Sequence, residues 1–290
     1  MEKIIIMTDS ASDISAEDEK RYDIAVLPFM IELDGKSYTS RVDFDNNGFY
    51  ELMAGSNEIP KTSQITPFEF QKVFHKAGQD GVTDLILVLI NSKGSQTYGN
   101  AKMAVDSFFD EHPRYQGQLR ITIIDGIGYN ALYGAPVVEA AKMREAGKSA
   151  DEIIAYLTDI MPRRQIYFGI YTLKYAGKSG RIPSAAAFIG DKLNLKPVMK
   201  ICDNAITTAA KTRGERNLVA KVAEMSLADM EPGTPYEVIY GNDPSCRDEM
   251  ARIMTEKLGY APSAAYQIGA AVAANAGPKV CGVSFIRKHK

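Results

Sequence analysis

Apolar residues in the first half of the chain fall into three short strand-like runs, each followed by a polar loop and then by helical spacing. Residues 3–7 (Lys-Ile-Ile-Ile-Met) and 84–90 (Asp-Leu-Ile-Leu-Val-Leu-Ile) are nearly unbroken runs of branched residues, the pattern of strands buried on both faces. Residues 119–124 form a third, alternating run. The loops behind them are Thr8-Asp9-Ser10-Ala11-Ser12-Asp13, Asn91-Ser92-Lys93-Gly94-Ser95-Gln96-Thr97 and Asp125-Gly126-Ile127-Gly128. Helices are expected after each: an acidic one over 16–21, one with Ala101, Ala104, Val105 and Phe108 on a single side, and a small-residue one over 131–146. Strand, loop and helix thus recur three times before Gly147, which predicts a parallel, doubly wound sheet.

Other segments decorate this frame. Residues 25–33 read as a strand broken by Pro28 and closed by the hairpin signal Asp34-Gly35, which leads into 36–38. Residues 44–54 read as a helix that stops at Gly55. Residues 59–67 form an extended polar loop held out of helix by Pro60 and Pro67, after which Thr66-Pro67-Phe68-Glu69 opens a helix. A helix over 151–159 precedes a boundary at Pro162. Beyond it the pattern predicts a strand at 166–173, a basic glycine-rich loop at 174–181 and a helix at 185–192. Strands at 196–201 and 205–209 follow, joined by an Asp203-Asn204 turn. Helices at 217–230 and 245–258 and strands at 236–240 and 280–286 complete the chain. Hairpins and helices in this order predict an α+β unit with a mainly antiparallel sheet. The division expected is residues 1–161 and 162–290, with 60–80 packing against the second unit.

Length and composition narrow the function. At 290 residues and 45% hydrophobic content the chain can build two cores, and a net charge of −2 argues against an obligatory nucleic-acid partner. The first apolar run is too brief for a secretory signal, and no window reaches the roughly 18 apolar residues of a membrane span. Cys202, Cys246 and Cys281 are scattered and odd in number, which reads as reduced thiols in a cytoplasmic protein without a metal site. His75, His112 and His289 lie far apart and are weak candidates for a catalytic base.

The candidate chemistry sits in the loop after residues 84–90. A strand that empties through Ser, Gly and Thr into a helix start presents backbone N–H groups and hydroxyls to one point, backed by the helix dipole. The plainer alternative is that Ser95 or Thr97 caps the helix. Neither a Gly-x-x-x-x-Gly-Lys-[Ser/Thr] loop nor a Gly-x-Ser-x-Gly elbow is present, so a carboxylate or a single phosphate fits better than a nucleotide. Thr8, Asp9 and Ser10, at the carboxyl end of another strand, are expected to face the same crevice. Thr62 and Ser63 stand on the stiff loop between the two prolines, either there or on an ordinary surface loop.

The motifs, taken in order, resemble the DegV family of fatty-acid-binding proteins. They are Thr8-Asp9-Ser10, Val26-Leu27-Pro28, Thr62-Ser63-Gln64, Ser95-Gln96-Thr97-Tyr98, Ile124-Asp125, Ser179-Gly180-Arg181-Ile182, Leu195-Lys196-Pro197, Lys211-Thr212-Arg213-Gly214 and Gly277-Pro278, spanning nearly the whole chain. The resemblance implies a Rossmann-like first domain, an α+β second domain, and one long-chain fatty acid between them. It implies a carboxylate held by Thr62 and Ser95, with Thr97, Ser63, Asn275 and Gly277 in the same set. It also implies a role without cofactor or catalysis, in which some members present the ligand to a fatty acid kinase that makes an acyl-phosphate. Arg181, Lys211 and Arg213 would face that kinase or its nucleotide. Phe29, Ile31, Phe188, Ile189, Ile268 and Val272 are the expected tunnel lining. The family pattern carries a histidine where this chain has Asn275, and a serine where it has Gly126; Gln96 replaces a glycine, Ile65 a proline and Ser40 an aspartate. Asparagine donates a hydrogen bond but does not ionise, so binding should depend less on pH near neutrality. Two other functions fit parts of the pattern: a serine acyl hydrolase or transferase using Ser95 or Ser10, and a binder of a small phosphorylated metabolite.

Overall fold

The computed structural model of the chain describes residues 2–181 and 195–288. It opens with β1 (Ile4–Asp9), a 3-10 turn (Ser10–Ser12), α1 (Ala16–Arg21) and β2 (Ala25–Leu27). These are followed by β3 (Met30–Leu33), β4 (Lys36–Thr39), α2 (Asn46–Gly55) and β5 (Lys61–Ser63). Then come α3 (Pro67–Gln79), β6 (Asp84–Leu89), α4 (Thr97–Glu111), β7 (Arg120–Asp125), α5 (Ala131–Glu145) and α6 (Ala150–Ile160). The second half holds β8 (Arg164–Ile170), α7 (Leu173–Ser179), β9 (Leu195–Cys202), β10 (Ala205–Arg213) and α8 (Leu218–Asp229). It closes with β11 (Tyr236–Tyr240), α9 (Pro244–Leu258), β12 (Ala264–Gln267), α10 (Ala270–Ala276) and β13 (Val280–Ile286).

Among the described residues the strands form three sheets. The first is parallel, in the order β2-β1-β6-β7, with β6 buried at every position. The second runs β10-β9-β8-β13-β11-β12 and is antiparallel except for the β11–β12 pair. The third is a small antiparallel sheet, β4-β3-β5. This is the expected mixture of a parallel and a mainly antiparallel sheet. Helix α5 packs on β1 and also meets β8, β11 and β13, so it lies between the two large sheets. Nine of its fifteen residues are buried, and Glu139, Lys142 and Glu145 form one narrow exposed stripe, as that position requires. Gly134 allows the close approach, because a Cβ there would stand 2.3 Å from the carbonyl oxygen of Ser12.

Several segments depart from the sequence reading. Pro28 does more than interrupt one strand: Ala25–Leu27 joins the parallel sheet, whereas Met30–Leu33 pairs with β4 and β5. Between β3 and β4, Asp34 and Gly35 take positive φ (52° and 69°), as the hairpin signal predicts. The polar loop at 59–67 contains a strand, β5, which sets Thr62 opposite the buried Ile31. The strand expected over 166–173 ends at Ile170, and the expected basic loop is mostly helix α7. Thr172 caps that helix by accepting the Lys174 N–H, Gly180 ends it at φ 69°, and the buried Tyr175 and Ala176 lie on an element that packs on α10. Residues 60–80 divide their contacts, since β5 touches α10 while α3 packs on α4. The helix expected at 185–192, with Phe188 and Ile189, lies outside the described residues, as does His289.

Candidate functional site

The site is positioned from beneath by residues the sequence reading placed in the crevice itself. Asp9 is fully buried. Its Oδ2 accepts the Ile90 N–H at 2.6 Å, and its Oδ1 accepts the Ala11 N–H at 3.0 Å and the Tyr133 hydroxyl at 2.6 Å. Burial pushes its pKa up to about 6 against the pull of those donors. The Thr8 hydroxyl donates to the Val88 carbonyl (2.8 Å), and Ser10 Oγ accepts the Phe29 N–H (3.0 Å). Thr8 and Asp9 therefore pin the end of β1 to β6, Ser10 ties it to Phe29, and none of the three lines the cavity above them. Neighbouring strand ends meet in this corner and leave unpaired N–H groups, which explains the residue types.

The loop after β6 also departs from expectation. Its backbone N–H groups are largely used internally: Ser92 N donates to Asp125 Oδ1, Lys93 N to Asn91 Oδ1, and Gly94 N and Ser95 N to the Asn91 carbonyl. What it offers outward is hydroxyl and side-chain chemistry. Helix α4 starts at Thr97 behind Gln96, which makes no side-chain cap, while Ser95 Oγ accepts the Thr97 N–H (3.2 Å). Thr97 is fully buried. Its Oγ1 lies 2.9 Å from Ser95 Oγ and accepts the Ile65 N–H at 3.2 Å, tying this loop to the end of β5. Asn91 and Asp125 reach across to the β9–β10 turn. Asn91 Nδ2 donates to the Asn204 carbonyl and Asn204 Nδ2 to Asp125 Oδ2, both at 3.2 Å.

Above this loop lies a cavity of 270 Å³ walled by residues of the six-stranded and small sheets, of α10, and of the loops that follow the strands of the parallel sheet. Gln64, Lys93, Gln96 and Arg181 are solvent-exposed wall residues and mark its mouth; Phe29, Ile90, Phe168, Ile201, Ile239 and Ile268 are buried and mark its interior. Thr62, Ser95, Arg181 and Asn275, far apart in sequence, share the wall. Asn275 Nδ2 donates to the Ala271 carbonyl at 2.8 Å within α10, leaving its second hydrogen and Oδ1 for the cavity. Ser63 alternates with Thr62 on β5 and faces solvent. Gly277 ends α10 at φ 89°, where a Cβ would meet Tyr175 and Thr172 at about 3 Å, and it stands outside the wall. Lys211 and Arg213 lie on the exposed face of the edge strand β10. Of the expected lining, Phe29, Ile268 and Val272 are present; Ile31 is buried core on β3, beside β5.

Wall residues that the sequence reading did not single out include Tyr129 and Asn130. Gly94 was the available signal for Tyr129, because a Cβ on Gly94 would fall 1.9 Å from the tyrosine hydroxyl. Gly126 has a similar explanation, since a Cβ there would crowd the Leu89 carbonyl (2.7 Å) and the Tyr133 ring (2.8 Å). The serines weighed as nucleophiles have other partners: Ser10 is buried against Phe29, and Ser95 is bonded to Thr97. His75 and His112 pack on each other, with ring centroids 5.1 Å apart, away from the cavity wall. No helix among the described residues is long and apolar enough to cross a membrane.

Comparison with known proteins places these features in a lineage. A family model described as "Uncharacterised protein, DegV family" matches residues 3–288. A DegV domain-containing protein of Clostridium acetobutylicum is 30% identical over 291 residues, covering 100% of this chain and 100% of that protein. Among solved structures, a stearic acid-binding protein from Eubacterium ventriosum superposes with a TM-score of 0.87 at 24% identity, covering 99% of both chains. A fatty-acid-binding DegV family protein from Thermus thermophilus gives 0.85 at 23% identity, covering 99% of this chain and 100% of that one.

Proposed function

The chain belongs to the DegV family, and from that premise we propose that it binds one long-chain fatty acid, with the carboxylate at Thr62 and Ser95 and the acyl chain in the apolar interior. The observation that carries this reading is the single cavity that joins those two hydroxyl residues to buried aliphatic and aromatic walls. The solved relatives described as stearic acid-binding and fatty-acid-binding proteins support it.

The chemistry follows from the wall. A carboxylate leaving water needs donors, and hydroxyls supply them without the fixed opposite charge that would hold the ligand too firmly. The Ser95 hydroxyl donates to Thr97 Oγ1. Turning its proton to the ligand leaves Ser95 Oγ as acceptor for the Thr97 hydroxyl, so the buried pair stays satisfied in both states. The second Asn275 hydrogen adds to a donor set that carries no charge. Affinity comes from the tail, at about 0.8 kcal/mol per buried methylene, so a dozen contribute on the order of 10 kcal/mol before entropic costs.

The same reading includes a partner. A fatty acid whose carboxylate sits at an open mouth is available to a fatty acid kinase, and Lys211 and Arg213 on the exposed strand β10 provide the positive charge such a nucleotide-carrying partner would meet. Denaturing mass spectrometry of the purified protein tests the core of the proposal, with close to one fatty acid released per chain as the expected result. Protein that carries no lipid and also takes up no labelled fatty acid would overturn it.

A further inference from the structure

We propose that Tyr129 is a further head-group residue of this site, its hydroxyl donating a hydrogen bond to the ligand's carboxylate from beside Gly94 and Ser95. This deepens the preceding reading and rests on it. Tyr129 is half-buried in the cavity wall, and it also lines an adjoining cavity that shares Lys93, Gly94 and Arg181 with the first. Its ring lies across the loop after β6: a Cβ on Gly94 would fall 1.9 Å from the hydroxyl oxygen and 3.0 Å from the ring carbon that bears it. Gly94 and its neighbours Lys93 and Ser95 are wall residues themselves, so the hydroxyl stands at the head-group end of the cavity and not among its buried aliphatic side chains.

The local structure holds the ring there. The Gly128 carbonyl accepts the Asn91 N–H at 3.1 Å, and the Asn130 N–H donates to the Ala11 carbonyl at 2.8 Å, so the residues on either side of Tyr129 are tied to the loops after β6 and β1. A phenol fixed in this way loses little freedom on meeting a ligand. Its hydroxyl nevertheless bonds to nothing among the described residues. Half-buried tyrosine hydroxyls ordinarily have a partner, so this one is left for a group that enters the cavity. It is also within reach. The unpartnered side-chain atoms sealed from solvent among the described residues are Asn130 Oδ1, Arg163 Nε, Arg164 Nε and Asn204 Oδ1, and the Tyr129 hydroxyl is not one of them. Burial pushes its pKa up to about 12 against the pull of Arg181, so it keeps its proton near neutrality and serves as a donor. A carboxylate gains most from such a donor, because a hydrogen bond to a charged acceptor is stronger than one to a neutral oxygen.

The test is displacement of a fluorescent fatty acid from delipidated wild-type protein and from Tyr129→Phe, by octadecanoic acid and by octadecan-1-ol. Phenylalanine keeps the ring over Gly94 and removes only the donor. The variant should bind the acid roughly tenfold more weakly and the alcohol no more than about threefold more weakly, since a neutral head group draws less from the lost bond. An unchanged affinity for the acid overturns the proposal while leaving fatty-acid binding intact, and so do equal losses for acid and alcohol, which would give the tyrosine a packing role alone. Wild-type protein that binds none of these ligands, the fluorescent acid included, overturns both readings. A crystal structure of the wild-type protein with octadecanoic acid decides independently of the variant: a carboxylate oxygen should lie within hydrogen-bonding distance of the Tyr129 hydroxyl, and a head group held elsewhere refutes the assignment.

Discussion

Single residues here divide into those that meet the ligand and those that hold the first group in place, and the two kinds respond differently to substitution. Thr62→Ala combined with Ser95→Ala removes donors at a half-exposed mouth without opening the core. Titration calorimetry should show fatty-acid affinity weakened by about 1–3 kcal/mol, with thermal unfolding of the lipid-free protein nearly unchanged; equal affinity in the double variant would refute the site. Gly94→Ala acts indirectly, because its methyl group would occupy the place of the Tyr129 hydroxyl. Affinity should fall although alanine makes no contact a glycine lacks except with Tyr129, and Gly94→Ala combined with Tyr129→Phe should recover part of the loss. Asp9 and Asp13 are buried carboxyls whose pKa values burial pushes up to about 6 and about 7. Asp13 faces Asn130, Gly269, Arg41 and Asp9, and the attraction of Arg41 does not offset its desolvation. The unfolded chain releases these protons near pH 4 while the folded protein keeps them, so stability should fall as pH rises from about 4 to 7 and level off above. Melting temperatures across that window check the sign, and Asp13→Asn should flatten the slope. A stability that climbs over the same interval would contradict the assignment.

At the scale of elements, the parallel sheet was legible because each unit repeats one grammar: a branched run, a polar turn and a helix of clear periodicity. The capping box of Thr66 and Glu69 with Pro67 at the start of α3 was legible for the same local reason. Thr62 and Ser95 emerged as a pair through the ordered motifs of a family, since no local pattern tells that a three-residue strand and a loop more than thirty positions later share a wall. Illegible elements had their identity set from outside. Helix α10 is almost wholly alanine with one asparagine, so it shows no polar face to give it away, and it is buried on most sides by its neighbours. Helix α7 carries a glycine and two lysines in seven residues and is held by Thr172, Gly180 and the packing of Tyr175. The β9–β10 turn illustrates the same limit: Asp203-Asn204 is readable as a hairpin, with φ of 51° and 63°, but its docking onto Asn91 and Asp125 is not. Asn204→Gly keeps the turn and removes the side-chain bond to Asp125. It should leave the hairpin intact while loosening the loop that carries Ser95, which amide exchange over residues 91–97 would report as faster opening with little change in β9 and β10. Uniform protection in that loop would argue that the docking contributes nothing.

For the molecule as a whole, the cavity wall is assembled from pieces that do not belong to one sheet: Thr62 from the small sheet, Ser95 from the end of the parallel sheet, Ile201 and Ile239 from the six-stranded sheet, and Asn275 from α10. A ligand seated there touches all of them at once, so it adds to the apolar packing around α5 and to the hydrogen bonds through which these elements already meet. Those bonds include Asn204 to Asp125, Asn46 Nδ2 to the Gln267 carbonyl (3.4 Å), and the Tyr50 hydroxyl to the Ile268 carbonyl. Binding to the native state alone stabilises it by about 2.7 kcal/mol at a hundredfold excess over Kd, which for a chain of this size corresponds to a rise of several degrees in melting temperature. Delipidated protein should therefore melt several degrees lower than protein reloaded with fatty acid. The gain in amide protection on reloading should appear together in β5, α10 and the loop after β6, and not in α9, which lies on the far side of the six-stranded sheet from the cavity. Stabilisation confined to one of these segments would mean that the ligand is held by a single element, and the joint wall inferred from Thr62, Ser95 and Asn275 would have to be abandoned.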